Sequence, residues 1–357
     1  MAEVMNQTGG FMKYDCEKLR TFVRDVMMTT GLSEEDSSIF SDSLVFANMR
    51  GVNSHGVTRV GVYRKRLVCE QVDPKAKLKI LEDRPALLLI DGCNGMGAPL
   101  AFHAMELCVE RAKTTGACFA AIRGGNHFGC AGYFTKYAAE QGMIGVSMAD
   151  ANAVVLPTGA KQPMLGTNPL SVSVPAYGKE PFLLDMATSV VASGRIRLAA
   201  KEGRSIPEGW GMTVNGEATT DPSQVKHLMP FGGYKGYGIG MAIDLLSATL
   251  SGACDSRHMG SFWKPGDGNI QGTGFFLGVI NPAAITDPVE FQKRVAAYID
   301  EMKNAEKADG VEEIFVAGEI EQRKYETALE EGIAISDVVI NELRSIGEET
   351  GVPFPFD

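Results

Sequence analysis

The stretch Ala117-Cys118-Phe119-Ala120-Ala121-Ile122-Arg123-Gly124-Gly125-Asn126-His127-Phe128-Gly129 reads as a strand that runs onto a glycine-rich turn and delivers a histidine there. Histidine is the side chain whose ordinary pKa lets it both take and give a proton near neutrality. Glycines beside it allow backbone and substrate to approach closely. A second histidine lies in Ser54-His55-Gly56-Val57-Thr58-Arg59, so two of the chain's five histidines occupy turn-rich polar segments. Loops of this kind carry functional groups more often than the packed core does. Taken singly, each histidine reads equally well as a partly buried ring bonded to backbone.

Working outward from that turn, short apolar segments separated by Gly, Pro and Asn continue on both sides. Leu78–Leu81, Ala86–Asp91, Ile144–Met148, Ser171–Val174 and Phe182–Leu184 read as strands, and Pro99–Lys113, Tyr133–Gln141 and Ile239–Leu250 as helices. The mixture predicts an α/β architecture with the site on loops at strand ends. Both ends of the chain are helical in pattern. Leu19, Phe22, Val23, Val26 and Met27 form one apolar stripe, and Ser33-Glu34-Glu35-Asp36 starts a second helix with Ser33 as N-cap. The segment from Ser54 to about Leu67 reads as a third helix capped by Ser54. Glu290–Ala305, Gln322–Glu331 and Ser336–Ile346 complete the set. The expected organisation is a helical domain formed by residues 1–75 and 286–357, with an α/β domain, 76–285, inserted between them.

The chain has 357 residues, 45% of them hydrophobic, and a formal net charge of -10. That is enough for a large core. Its only short basic run, Arg64-Lys65-Arg66, is too small to predict a nucleic-acid surface. Seven cysteines, scattered and without a CxxC pair, predict buried thiols in a reducing compartment. No apolar stretch reaches membrane-spanning length, and Met1–Lys13 lacks the pattern of a secretory signal. The expectation is a soluble, cytoplasmic protein with no membrane or nucleic-acid partner.

Four further segments bear on chemistry. If Ser54–Arg59 opens a helix, His55 and Arg59 share a face, and the arginine fork suits a carboxylate beside a proton-transfer group. A plain helix start with a surface arginine is the competing reading. Gly95-Met96-Gly97 follows a strand and precedes a helix, but position 100 is Leu100, so the dinucleotide fingerprint is incomplete and the segment reads as a turn. Asp185-Met186-Ala187-Thr188-Ser189 ends a strand with small and hydroxyl residues before a helix, which suits phosphate binding or simple capping. Pro230–Gly238 places Lys235 among four glycines, a flexible loop with a fixed cation. Gly266-Asp267-Gly268-Asn269 lacks spaced acidic ligands and reads as a turn, and no residue spacing predicts a metal site.

Together these segments resemble the non-Rossmann family of malate, L-lactate, sulfolactate and ureidoglycolate dehydrogenases, which also holds reductases of cyclic imino acids. The residues that carry the resemblance stand in family order from Ser54 to Gly238. They are Ser54–Arg59, Gly125–Gly129, Gly166-Thr167-Asn168-Pro169-Leu170, Asp185–Ser189, Gly209-Trp210, Thr219-Thr220-Asp221-Pro222 and Gly232–Gly238. The resemblance implies a mixed-sheet, non-Rossmann dinucleotide-binding fold and an NAD- or NADP-dependent oxidoreductase of small 2-hydroxy or 2-oxo acids, working as a homodimer or larger assembly. By the same resemblance, His127 and His55 compete for the proton-transfer role. Ser54, Arg59, Asn126, Thr167 and Asn168 would meet substrate. Asp185, Met186, Ala187, Thr188, Ser189, Lys235, Gly236, Gly318 and Glu319 would hold the dinucleotide. The family often has Pro-Gly-Glu where this chain has Ala317-Gly318-Glu319.

Overall fold

A computed structural model describes residues 12–201 and 203–356; the reading of Met1–Lys13 falls almost wholly outside them. Within the described residues, ten α-helices are α1 (Cys16–Met28), α2 (Glu34–Met49), α3 (Val60–Val68), α4 (Gly97–Thr115), α5 (Ala131–Glu140), α6 (Ser193–Lys201), α7 (Tyr234–Asp244), α8 (Pro288–Lys303), α9 (Glu319–Glu331) and α10 (Asp337–Thr350). The main sheet has seven strands: β1 (Lys79–Arg84), β2 (Leu87–Asp91), β3 (Ala117–Gly125), β4 (Ile144–Ala149), β5 (Leu170–Val174), β6 (Phe182–Met186) and β7 (Thr273–Ile280). They lie in the order β1-β2-β3-β7-β4-β5-β6, giving a mixed α/β fold. Only β2 and β3 are parallel; the other neighbouring pairs are antiparallel. A parallel pair needs a crossover rather than a hairpin, and α4 supplies it.

The strand that holds the sheet together is the one the sequence reading passed over. β7 sits between β3 and β4, and Phe275, Leu277 and Val279 on it are fully buried. Its signal was available: an apolar run from Thr273 to Ile280 bounded by Gly272 and Pro282. Gly274 and Gly278 interrupt the run, and both answer to close neighbours. A Cβ on Gly274 would meet the Ser247 carbonyl at 2.2 Å, and one on Gly278 the Phe119 ring at 2.5 Å.

The helical ends pack together and onto the sheet. Lys13–Tyr14 pairs antiparallel with Ile333–Ala334, and one apolar core runs from Tyr14 and α1 through Ile90, Ile122 and Phe275 to Ile346. Ser33 caps α2 as expected, accepting the Asp36 N–H. His103 on α4 bridges to Asp36, and that carboxylate, with Glu106, pushes the imidazole up to about 9. A smaller core of Val155, Leu165, Val191, Ile196 and Leu228 lies by a three-stranded sheet of Gly211–Met212, Ala218–Thr219 and His227–Leu228.

Two local expectations need correction. Ser54 does not cap a helix: Asn53–His55 and Val57–Arg59 are separate 3-10 turns, and α3 begins only at Val60. Gly56 breaks the run with an extended backbone (φ -90°, ψ -154°), and a Cβ there would fall 2.0 Å from the Asn48 amide oxygen, which accepts the Val57 N–H. Lys235 and Gly236 lie in the first turn of α7, not in a flexible loop. Gly236 is required there by the Phe231 carbonyl, 2.1 Å from where its Cβ would stand.

Gly95-Met96-Gly97 begins as the expected turn and then opens the one helix that crosses between parallel strands. Gly97 has a structural reason to be glycine. Its Cβ would lie 2.0 Å from the Asn126 carbonyl oxygen and 2.4 Å from that of His127. Gly97→Ala therefore forces the helix off the histidine turn, and overpacking of this kind costs about 1–3 kcal/mol. The expected result is a lower melting temperature together with lost activity. A Gly97→Ala protein with unchanged stability and impaired dinucleotide binding alone would instead make Gly97 a cofactor glycine.

Candidate active site

β3 ends at Gly125, and the chain then turns through Asn126 and His127 before entering α5. Backbone bonds alone would not hold such a turn, and side chains from three directions do so. The His127 N–H donates to Gln271 Oε1 (2.8 Å), just ahead of β7. Asn126, 2% exposed, donates its amide to the Asn94 and Gly95 carbonyls at 3.2 and 2.9 Å and accepts from Arg66 at 3.3 Å. Phe262 stacks on the imidazole, with centroids 4.6 Å apart and planes 25° apart. The Tyr63 hydroxyl is hydrogen-bonded to His127 Nδ1. The Gly129 N–H also points at Nδ1, at 3.3 Å. The Tyr63 hydroxyl can accept from Nδ1–H or donate to a bare Nδ1, so both neutral tautomers of the ring are supported.

The Ser54–Arg59 segment folds against this turn. The His55 ring lies parallel to that of His127, centroids 5.6 Å apart, and its Nδ1 is 3.0 Å from Ser54 Oγ. Arg59 donates Nε–H to the Ser54 carbonyl at 2.6 Å, and its guanidinium carbon stands 4.1 Å over the Trp263 ring. Both imidazoles are half-buried. Burial first, and then the Arg59 charge, lower His55 to about 4. His127 is depressed well below its ordinary value by burial, then by His55, Arg59 and Arg66. Both rings are therefore neutral near pH 7.

Of the residues expected to meet substrate, Ser54, Arg59, His55 and His127 converge. Asn126 lies beneath the turn with its side chain committed to Asn94, Gly95 and Arg66. Asn168, fully buried with φ +27°, donates to the Gly240 carbonyl (2.9 Å) and accepts the Ala151 N–H (3.0 Å). Thr167 is half-buried and gives its carbonyl to the Thr188 N–H (2.8 Å).

The segments expected to hold a dinucleotide are brought together along β6. Asp185 is exposed at the strand end and accepts from the Cys130 thiol (3.0 Å) and the Gly132 N–H (2.8 Å), three and five residues beyond His127. Crowding by protein raises its carboxyl, partly offset by those two donors. Met186 and Ala187 follow, half-buried. Thr188 and Ser189 cap no helix. The Thr188 hydroxyl bonds the carbonyls of Thr167 and Asn168, and the Ser189 hydroxyl bonds that of Val191. The Phe231 N–H donates to Thr188 and the Val190 N–H to Met229, so the turn leading to Lys235 lies directly beside them. α7 starts without a side-chain cap, behind Gly232 and Gly233 at φ +55° and +63°.

On the other side of β6, Gly318 stands where a Cβ would meet the Leu183 carbonyl at 2.6 Å, and its own carbonyl accepts from buried Arg50 (3.2 Å). Glu319 accepts the Val316 N–H (3.2 Å) and pairs with Lys303. A cavity of about 230 Å³ opens there, lined by Leu183 and Gly318 with Arg50, Lys136, Lys179 and Lys303 facing Glu180 and Glu319. Lys136, Lys179 and Lys303 are paired there with Glu140, Asp300 and Glu319, so cations of the kind that meet phosphates stand beside carboxylates of the kind that meet ribose hydroxyls.

Sequence reasoning missed Tyr63, Arg66, Phe262, Trp263 and Gln271. The nearest signal was Arg66 within a basic run; it is 1% exposed and donates to the Ser261 carbonyl (3.0 Å). Gly266–Asn269 is a turn, as expected. Among the described residues no cluster of three or more His, Cys, Asp or Glu side chains could hold a metal ion, and no helix is long and apolar enough to cross a membrane.

Known proteins fall in line with this geometry. The family model for malate/L-lactate dehydrogenase matches residues 14–344. The malate dehydrogenase of Pyrococcus abyssi is 38% identical over 96% of this chain and 96% of its own. The NAD(+)-dependent ureidoglycolate dehydrogenase of Escherichia coli K12 is 31% identical over 96% of this chain and 99% of its own. The solved structure of sulfolactate dehydrogenase from Methanocaldococcus jannaschii superposes with a TM-score of 0.90 at 35% identity, covering 96% of this chain and 98% of that one. The chain belongs to the malate/L-lactate dehydrogenase family and is an oxidoreductase.

Proposed function

We propose that this protein transfers a hydride between NAD or NADP and a small 2-hydroxy or 2-oxo acid, with His127 moving the proton on the substrate oxygen and Arg59 holding the carboxylate. The observation that carries this reading is the meeting of an arginine fork with two neutral imidazoles in one half-buried pocket. A planar guanidinium matches a carboxylate in two prongs. In the neutral tautomer whose Nδ1–H donates to the Tyr63 hydroxyl, the bare Nε2 can take the proton of the substrate hydroxyl. His55, next to it and bonded to Ser54, lines the pocket and lowers the proton affinity of His127. The bound nicotinamide supplies the hydride chemistry. Asp185–Ser189, Lys235–Gly236 and Gly318–Glu319 hold the dinucleotide along β6.

In this reading residues 1–75 and 286–357 supply the Ser54–Arg59 wall and the Gly318 turn, and residues 76–285 supply the sheet and the His127 turn. A reducing cytoplasm is supported by the seven cysteines, all free thiols, four of them buried. Assembly as a homodimer is supported by Ile239, Met241, Leu245 and Leu250, exposed apolar residues on α7 and the turns that continue it.

Two measurements test the proposal. With both nicotinamide cofactors, a panel of 2-oxo acids (pyruvate, oxaloacetate, sulfopyruvate) and cyclic imines is expected to give turnover of at least one 2-oxo acid; turnover of cyclic imines alone would move the enzyme to the imine-reductase branch. For oxidation, a base works above its pKa, and that of His127 is lowered. The acid limb of kcat/KM is therefore expected below pH 6.5, the ordinary histidine value. His127→Ala should lose roughly a hundred- to ten-thousand-fold in kcat and abolish that limb while still binding dinucleotide. Wild-type rates in His127→Ala would remove it from the mechanism.

A further inference from the structure

Phe262 and Trp263 are consecutive, and each backs a different functional group: Phe262 stacks on His127 (4.6 Å), and Trp263 lies under the Arg59 guanidinium (4.1 Å). The two aromatic rings meet edge to face, 5.0 Å apart at 78°. Their loop is anchored from behind by polar side chains, of which Arg66 and Gln71 are buried and Asn152 half-buried. Arg66 donates to the Ser261 carbonyl (3.0 Å), and Asn152 donates to those of Met259 (3.2 Å) and Gly260 (2.9 Å). Gln71, 2% exposed, donates to the carbonyls of Lys264 (3.3 Å) and Asn269 (3.0 Å) and accepts the Gly266 N–H (2.8 Å). On this fixed loop Trp263 remains 46% exposed, so core packing does not account for so large a ring.

We propose that Trp263 is the positioning residue for Arg59, setting the plane of the guanidinium that receives the substrate carboxylate; this rests on the reading of Arg59 given above. A long arginine side chain has many rotamers, and fixing one before substrate arrives removes an ordering cost from binding. The Arg59 Nε–H donates to the Ser54 carbonyl (2.6 Å), and its guanidinium carbon stands 4.1 Å over the indole. A cation over an indole also attracts its ring.

A double-substitution cycle tests the assignment. Trp263→Leu is expected to raise KM for a 2-oxo acid by about three- to thirtyfold with kcat little changed, and Trp263→Phe to restore most of the loss. Arg59→Lys should raise KM further. The double variant should be no worse than Arg59→Lys alone, because a lysine has no fork to orient. Multiplying effects, or an unchanged KM in Trp263→Leu, overturn the positioning role. An unchanged KM in Arg59→Lys overturns the Arg59 reading itself and the proposal with it. The chain has only two tryptophans, Trp210 and Trp263, which gives a readout independent of turnover. In a Trp210→Phe background, oxalate added to the dinucleotide-saturated enzyme should shift or quench the remaining emission saturably, and not do so with Arg59→Lys. Silent emission while oxalate inhibits competitively would overturn the proposal even if Trp263→Leu failed to fold.

Discussion

The position of His127 depends on a contact between backbones that leaves no room for a side chain. Gly97, the first residue of α4, is pressed against the carbonyls of Asn126 and His127. This closeness follows from topology. β2 and β3 are the one parallel pair, so the loops leaving them emerge at the same end of the sheet and must share space. Buried Asn126 occupies the gap, and its amide satisfies carbonyls of the first loop. Because β7 lies against β3 and Gln271 just precedes it, the same histidine is also tied to the central strand. Three strands thus fix a residue that belongs to none of them.

The pocket built on that contact has a consistent electrostatic bias. Burial, the neighbouring imidazole and two arginines all depress His127, and burial with Arg59 depresses His55. A pocket that favours neutral imidazoles and retains a guanidinium is suited to an anion. In the proposed reading, a carboxylate paired with Arg59 offsets one of the charges holding His127 down, so binding raises the proton affinity of that imidazole. Substrate binding and acid–base strength are, on that reading, linked through a single guanidinium.

Much of this was legible in the sequence, and the rest failed for identifiable reasons. Local signals are carried by residues near one another in the chain. Ser33 as a cap, the apolar stripe of α1 and the strand ending at the Gly124-Gly125 turn were of this kind, and the structure has them. The incomplete fingerprint at Gly95–Gly97 reads as a turn and the structure has one there, but the reason for Gly97, a carbonyl arriving from position 126, is a long-range contact. β7 was hidden by Gly274 and Gly278, which weaken a strand pattern locally and are demanded by Ser247 and Phe119 in space. Ser54 has the residue type of a helix cap, but the segment folds as two 3-10 turns whose Val57 N–H is taken by Asn48, on another helix.

The loop at 259–271 shows why the remainder of the site was out of reach. Its composition, rich in glycine with one proline and single polar residues, reads as a surface turn, and part of it is one. What makes it a wall of the pocket is the set of side chains that hold its carbonyls: Arg66, Gln71 and Asn152, from 107 to 198 residues away in the chain. None of these has a spacing that marks it, because each contacts backbone, and backbone carries no residue identity. The aromatic pair they fix is a different matter. Trp263 stays 46% exposed beside buried Phe262, with one face of its ring under the Arg59 guanidinium. In the sequence, the adjacent aromatic pair on a glycine-rich loop is the local trace of that wall.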